Sequence, residues 1–272
     1  MEGLKSRAVA LIVCIALILV GWFGGNAIQN MGGKLVTTTA SGLKADTVVM
    51  QVGTEKVTAD EYLYWLTSVC DSMYQYYGIT DWNMMMTEDM TVGEYAKEEA
   101  AYYAAQYAAI LQLAQERGIE LTQEQNELLD GVYDYWCNIY GGKDVCDYML
   151  AYSGLNQAML VDNNIPPFLY ANLCDQLLGE GGELEPTEEH LKAYAERTKQ
   201  TNLSSEELMK VYMDPGYGAP YDYVDAYVGE LETVKSEAYD KIDVAVYYPA
   251  VMSERAKLVA PAPDTPESSS EE

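Results

Sequence analysis

The sequence predicts a mainly α-helical fold that carries a small β-sheet. The chain has 272 residues, enough for one sizeable core, and 49% of them are hydrophobic. A stretch rich in β-branched residues at 48–57 has a glycine in its middle, which is typical of a short hairpin. Long segments with apolar residues every three or four positions follow it, as expected of helices that bury one face. Near the C-terminus, KIDVAVYYPA at 241–250 begins with alternating polar and apolar residues, a pattern that predicts a half-buried strand.

The N-terminal region has the composition of a membrane span. No charged residue lies between Arg7 and Lys34, and residues 8–29 are almost wholly apolar. A run of this length can cross a bilayer, and the basic residues before it would keep residues 1–7 in the cytoplasm. Two interpretations stay open, an uncleaved anchor and a cleaved signal peptide, and the length of the run favours the anchor. In both cases the rest of the chain lies outside the cytoplasm.

The folded region is predicted to begin after a linker. Residues 30–46 are small and polar, and we interpret them as a linker from the membrane to a domain at 47–250. That domain opens with the hairpin, which leads into a helix capped by Thr58. Because a two-stranded hairpin is marginally stable in water, the strand near 242–248 is expected to pair with the hairpin strand near 48–52. This pairing would close the domain with its two ends.

Several helices lie between the hairpin and the final strand. Glycines after apolar helical segments predict that two long helices end at Gly78 and Gly118. Caps and breakers set the other boundaries. Helices begin at Thr122, after Gly154 and at Thr187, residues 200–220 form a loop, a helix covers about 221–237, and residues 251–272 form an acidic disordered tail.

Charge and motifs exclude several classes of function. The net charge is −27, with 16 basic against 43 acidic residues, so nucleic acid is not expected as a partner because little could replace its counterions. The single histidine, His190, lies in a charged helical segment without further metal ligands. No nucleophile elbow or phosphate-binding loop occurs. The sequence therefore predicts neither an enzyme nor a cofactor or metal site.

The unusual feature is the abundance of side chains suited to adaptable binding. The chain contains 24 Tyr, 13 Met and 4 Trp, residues that offer large contact areas with flexible geometry. On helix faces we expect them to build the core. In the loop DWNMMMTEDM at 81–90, consecutive apolar residues cannot all face one core. The candidate binding residues are Tyr76, Tyr77, Trp82, Met84, Met85 and Met86.

Four cysteines follow the apolar N-terminal run. Two of them, Cys137 and Cys146, would close a short loop around Gly141 and Gly142 and are the candidate disulfide. The alternative is that the cysteines are buried free thiols, which are common in helical cores.

Several segments, taken in order, resemble the SurA/PrsA-like foldase family of exported bacterial chaperones. MQVGTEKVTADEYLYWL resembles that family's opening strand and helix, and LAQERGIELTQEQ resembles its helix end and next helix start. SGLNQAML, LEPTEEHLKAYAER and SEAYDKIDVAVYYP resemble a later helix start, the segment before the isomerase domain and the terminal helix and strand. The resemblance covers most of residues 47–250. It implies a helical chaperone module that binds unfolded exported polypeptides.

One departure from the family bears on activity. After KAYAERTK the family usually inserts a prolyl isomerase domain of about a hundred residues, whereas only about twenty residues precede the next helix here. The isomerase's paired histidines are also absent. The resemblance thus implies a membrane-anchored extracytoplasmic chaperone without isomerase activity. An alternative is a non-catalytic envelope scaffold that binds one defined protein partner.

Overall fold

The computed structural model describes residues 35–259, which form thirteen helices and one three-stranded sheet. The prediction of a mainly α fold with a small sheet is confirmed. The strands are β1 (Val48–Val52), β2 (Glu55–Thr58) and β3 (Thr233–Lys235). The helices are α1 (Val36–Ser41), α2 (Ala59–Tyr77), α3 (Val92–Arg117), α4 (Gln123–Asp130), α5 (Val132–Tyr140), α6 (Lys143–Tyr152), α7 (Gln157–Asp162), α8 (Ile165–Leu178), α9 (Glu188–Thr198), α10 (Ser205–Tyr212), α11 (Ala219–Glu230), α12 (Glu237–Asp240) and α13 (Val244–Arg255).

The sheet joins the two ends of the fold, as predicted, but through a different C-terminal strand. Its order is β2-β1-β3, with both pairings antiparallel. The hairpin turns at Gly53, whose φ of 55° is left-handed. On its other edge β1 pairs with β3, and Val52 lies opposite Thr233. The expected partner near 242–248 is therefore wrong, and the helix expected over 221–237 ends early because residues 233–235 join the sheet.

The segment predicted as the final strand is the helix α13. Its N-cap Asp243 accepts a hydrogen bond from the backbone N–H of Ala245 through Oδ1 at 3.0 Å. The buried apolar side chains of this helix follow the spacing i, i+3, i+4, i+7. They are Val244, Tyr247, Tyr248 and Val251. Over so short a segment the same apolar residues also fit a strand, so the burial pattern decides between the two.

The fold extends beyond the predicted domain at both ends. Residues 36–41 of the expected linker form α1, whose Val36 is buried and which packs against α13. At the other end, residues 251–255 of the expected tail are helical, and Leu258 is buried. Both predictions were wrong there, since short apolar stretches at the ends cover the core. Residues 30–34 and 260–272 lie outside the described part of the chain.

Local signals located most helix ends correctly. Glycines in the left-handed conformation follow α2 at Gly78 and α3 at Gly118, and Thr122 and Thr187 cap the helices that follow them. The expected loop at 200–220 is wrong in part, because α10 lies within it. Ser204 caps α10, and its Oγ accepts a hydrogen bond from the N–H of Glu207 at 3.3 Å. This capping box is the signal that the sequence interpretation overlooked.

The main core lies between the hairpin, α2, α3 and α13. Alanines at 96, 100, 104 and 108 give one face of α3 small side chains, so α2 can approach it closely. From α2, the side chains of Tyr62, Leu63 and Leu66 are fully buried in this core. Within residues 35–259, no helix is both long and apolar enough to cross a membrane, and the predicted span at 8–29 lies outside them.

Candidate functional site

An open groove of about 580 Å³ lies beside the core, between α2, α3, α8 and residues 215–224. Helix α2 lines it with Trp65, Ser68, Val69, Ser72, Met73 and Tyr77, and α3 lines it with Tyr95, Glu99, Tyr103, Gln106, Tyr107 and Ile110. The remaining lining residues are Pro167, Tyr170, Pro215, Gly216, Tyr221 and Val224. Aromatic and aliphatic side chains therefore form most of the surface.

The groove exists because α2 carries two apolar stripes. One stripe, which includes Tyr62 and Leu66, is buried in the core. The other runs along Trp65, Val69 and Met73 at intervals of four residues, so it lies on one helix face. Val69 is buried in the main core, whereas Trp65 and Met73 are only partly buried, so this side of α2 leaves part of its apolar surface in the groove.

An aromatic cluster around Trp65 forms the centre of the groove. The ring of Trp65 stacks on Tyr103 with centroids 5.6 Å apart and meets Tyr107 edge-on at 4.8 Å. Such pairs hold one another in fixed orientations and contribute beyond simple burial. The cluster is therefore a preformed apolar surface and a candidate binding surface, made of side chains whose orientations are already fixed.

The hydroxyl of Tyr107 is a buried donor with no hydrogen-bond partner among the described residues. Burial raises the pKa of Tyr107 well above its ordinary value, so the hydroxyl stays protonated. A buried polar group without a partner costs about 1–3 kcal/mol. Because this hydroxyl is closed off from solvent, Tyr107 offers its ring and not its hydroxyl to the groove.

Hydrogen bonds hold the opposite wall of the groove in place. The hydroxyl of Tyr102 lies 2.8 Å from the hydroxyl of Tyr221 and donates to Oδ1 of Asp225 at 2.6 Å, which ties α3 to α11. In addition, Tyr170 donates its hydroxyl to the carbonyl oxygen of Pro215 at 2.6 Å. The wall that faces α2 is thus rigid before any ligand arrives.

Glu99 is the charged residue among the groove's lining residues. Its negative charge is the largest cause of the raised pKa of Tyr95. Burial, and then the charge of Glu99, raises the pKa of Tyr103 to about 12. The carboxylate therefore lies against two tyrosine hydroxyls at the wall of the groove.

The predicted binding residues do not lie together in the fold. Tyr77 lines the groove, whereas Tyr76 beside it does not, although both are more than three-quarters exposed. Met84, Met85 and Met86 are about half exposed on the loop between α2 and α3, away from the groove.

Trp82 is the wrong prediction in this set. It is 4% exposed, and its ring meets Tyr248 edge-on at 5.1 Å in the main core. Its carbonyl oxygen accepts a hydrogen bond from the N–H of Gly93 at 2.9 Å, which folds the start of the loop back onto α3. The sequence interpretation in turn missed Trp65 and Tyr107, although a second apolar stripe along α2 was a signal for them.

The candidate disulfide is not formed. Cys137 on α5 and Cys146 on α6 are free thiols, as are Cys70 and Cys174. Burial, and then the neighbouring Cys137, raises the pKa of Cys146 to about 12. The open alternative of free thiols is therefore the observed state, with Cys137 partly exposed and the other three buried. Within residues 35–259, no three side chains of the His, Cys, Asp and Glu types are grouped so as to hold a metal ion.

Comparison of the chain with family models, curated proteins and solved structures finds no match. The resemblance to the SurA/PrsA-like family therefore stays an expectation from the sequence.

Proposed function

We propose that this protein is a membrane-anchored extracytoplasmic chaperone that holds unfolded exported polypeptides in the groove along α2 and α3. The aromatic lining of that groove carries the proposal. A volume of about 580 Å³ is typical of sites that enclose a small molecule or a few side chains. Unfolded chains expose the large apolar side chains that folding mostly buries, so they are the ligands that such a groove would meet most often.

The chemistry of the groove suits clients of varied sequence. Apolar contact contributes about 25 cal/mol for each Å² removed from water, and it requires no fixed pattern of polar partners. The charge of −27 keeps the protein and its complexes from associating with one another.

The segment between α9 and α11 supports a chaperone without an isomerase domain. Where the resembling family inserts that domain, this chain has α10 and a short loop. The loop places Pro215 and Gly216 in the wall of the groove. In place of a second domain, the segment thus completes the proposed binding site. The apolar run at 8–29 is the proposed anchor.

The test is an aggregation assay with the full-length chain in lipid nanodiscs and a reduced, unfolded client. We expect the wild type to suppress aggregation at several-fold molar excess, and Ser72→Trp, which fills the groove, to abolish suppression. Tyr77→Ala should weaken suppression while Tyr76→Ala, its equally exposed neighbour outside the groove, should not. The proposal fails if the wild type gives no suppression, or if Ser72→Trp suppresses as well as the wild type.

A second candidate function, a scaffold for one defined envelope protein, is favoured by a different feature. The loop between α2 and α3 exposes Met84, Met85 and Met86 together, outside the groove. Methionine clusters on a surface adapt to a partner. A photo-crosslinking probe at position 85 tests the scaffold in the native host, because a scaffold yields one stoichiometric adduct there, whereas a chaperone that holds its clients in the groove yields no such adduct.

A further inference from the structure

Two adjacent glutamates on α3 have opposite surroundings. Glu98 faces the sheet side, where Nζ of Lys235 donates to its Oε1 at 2.7 Å. The same Nζ lies 4.6 Å from the ring centroid of Tyr239, and the Tyr239 hydroxyl donates to Glu98 at 3.1 Å. Carboxylate, tyrosine ring and lysine cation thus form a complete triad, in which the cation is held by the carboxylate and the π face together.

Glu99 has the same type of surroundings without the cation. It lies against Tyr95 and Tyr103 in the groove wall. None of the described residues that line the groove is Lys, Arg or His, and within residues 35–259 no ion pair involves Glu99. The groove therefore combines one negative charge with several electron-rich aromatic faces and supplies nothing to neutralise them.

We infer that the groove selects polypeptide segments in which a lysine or arginine lies next to an apolar side chain, with the cation at Glu99. The inference rests on the proposed function and names its substrate class. A purely apolar segment would cover the Glu99 carboxylate and leave its charge out of water with the Tyr95 and Tyr103 hydroxyls beside it but no cation, which is unfavourable. A basic side chain removes that penalty, and its methylene stem covers the apolar wall.

The rest of the groove can contact the residues beside the basic side chain. An apolar side chain next to the basic one would reach the cluster of Trp65, Tyr103 and Tyr107. The net charge of −27 attracts basic segments over longer distances and so raises their rate of association.

The test measures binding of three labelled peptides to the full-length chain in nanodiscs by fluorescence anisotropy. The peptides share one apolar sequence and differ at a central position, which is lysine, norleucine or glutamate. We expect the lysine peptide to bind about tenfold more tightly than the norleucine peptide, and the glutamate peptide to bind least. Glu99→Gln should remove the preference for lysine and keep the binding of the norleucine peptide, which shows that the groove remains intact.

Glu88→Gln, which removes the same charge from an exposed loop position, is the matched control and should leave all three affinities unchanged. Equal binding of the lysine and norleucine peptides to the wild type would overturn the inference and leave the proposed chaperone function standing. Tetramethylammonium that displaces the lysine peptide at equal concentration would also overturn it, because the ligand would then be a free cation. Failure of all three peptides to bind, together with no suppression of aggregation, would remove the proposed function itself.

Discussion

Arg255 and Asp71 form a bidentate ion pair that joins the last helix to the first long one. Nη1 of Arg255 donates to Oδ1 of Asp71 at 2.6 Å, and Nη2 donates to Oδ2 at 2.8 Å. The arginine Nε also donates to the carbonyl oxygen of Tyr152 at 2.7 Å. Burial, the largest single cause, lowers the pKa of Arg255, but the hydrogen bonds to Asp71, the charge of Asp71 and the neighbouring Tyr152 and Tyr248 together raise it above its ordinary value. The arginine therefore stays charged and connects α2, α6 and α13.

Removal of this arginine should destabilise the fold strongly. Arg255→Met leaves the Asp71 carboxylate, which is 22% exposed, without its cation, and we expect a loss of about 3 kcal/mol in the free energy of unfolding. Urea unfolding of residues 31–272 measures it. Lys210→Met breaks the exposed pair of Lys210 and Glu206 and should cost less than about 1 kcal/mol. Similar losses for the two variants would contradict the structural role of Arg255.

Two features require glycine at position 53: a left-handed backbone conformation and the closeness of Gln112. Besides its left-handed φ, a Cβ added here would lie 2.3 Å from Oε1 of Gln112, the side chain that accepts a hydrogen bond from the N–H of Thr54 at 3.1 Å. We expect Gly53→Ala to cost about 2–4 kcal/mol, as backbone strain adds to the lost hydrogen bond. Gly118→Ala, with a φ of 63° and nothing near the added Cβ, should show the strain alone, about 1 kcal/mol. Equal losses in urea unfolding would show that Gln112 accommodates the methyl group.

Trp82 and Met85 lie in the same loop but should respond differently to truncation. Trp82 is buried against Tyr248, so Trp82→Ala should leave a cavity and cost about 3–5 kcal/mol. Met85 is 55% exposed, and Met85→Ala should change stability by less than about 0.5 kcal/mol. Thermal unfolding of the two variants compares them directly. A small effect of Trp82→Ala would instead show that Trp82 is exposed, as the sequence predicted.

Tyr64 should make the fold sensitive to alkaline pH. Burial raises its pKa to about 12, whereas the unfolded chain loses this proton near pH 10. The native state then binds more protons than the unfolded state, so stability is complete below about pH 10 and falls as the pH rises to about 12. The expected slope for this tyrosine is about 1.4 kcal/mol per pH unit. Urea unfolding of Tyr64→Phe should show a flatter profile above pH 10 and the same profile as the wild type below pH 9.

The cysteines should differ in their reactivity. Burial raises the pKa of Cys174 and of Cys146 to about 12 and that of Cys70 well above its ordinary value, while Cys137 is partly exposed. A thiol-alkylating reagent at pH 7.5 should therefore modify Cys137 of residues 31–272 first, and the other three only after urea is added. Mass spectrometry identifies the order. Protection of Cys137 and Cys146 together until a reductant is added would show that the two form a disulfide.

Interactions between near neighbours were predictable from the sequence. The hairpin turn at Gly53, the capping of α2 by Thr58 and the helix ends at Gly78 and Gly118 depend on residues within four or five positions of one another. For that reason the fold class and most helix boundaries follow from the sequence, whereas the strand that closes the domain pairs over a long sequence distance and was predicted at the wrong segment.

Alternatives that fit the local pattern equally well were decided by the tertiary structure. The apolar residues at 244–251 fit both a strand and a helix, and their burial against α2 and α1 selects the helix. The groove depends on the same kind of choice, because α2 has two apolar stripes and only the packing of α3, α8 and α11 determines which one stays open. Trp65, Tyr107 and Pro215 meet there from distant parts of the chain. The sequence by itself determined the fold class and most helix ends, whereas the packing of distant segments decided that residues 244–251 form a helix and which apolar side chains line the groove.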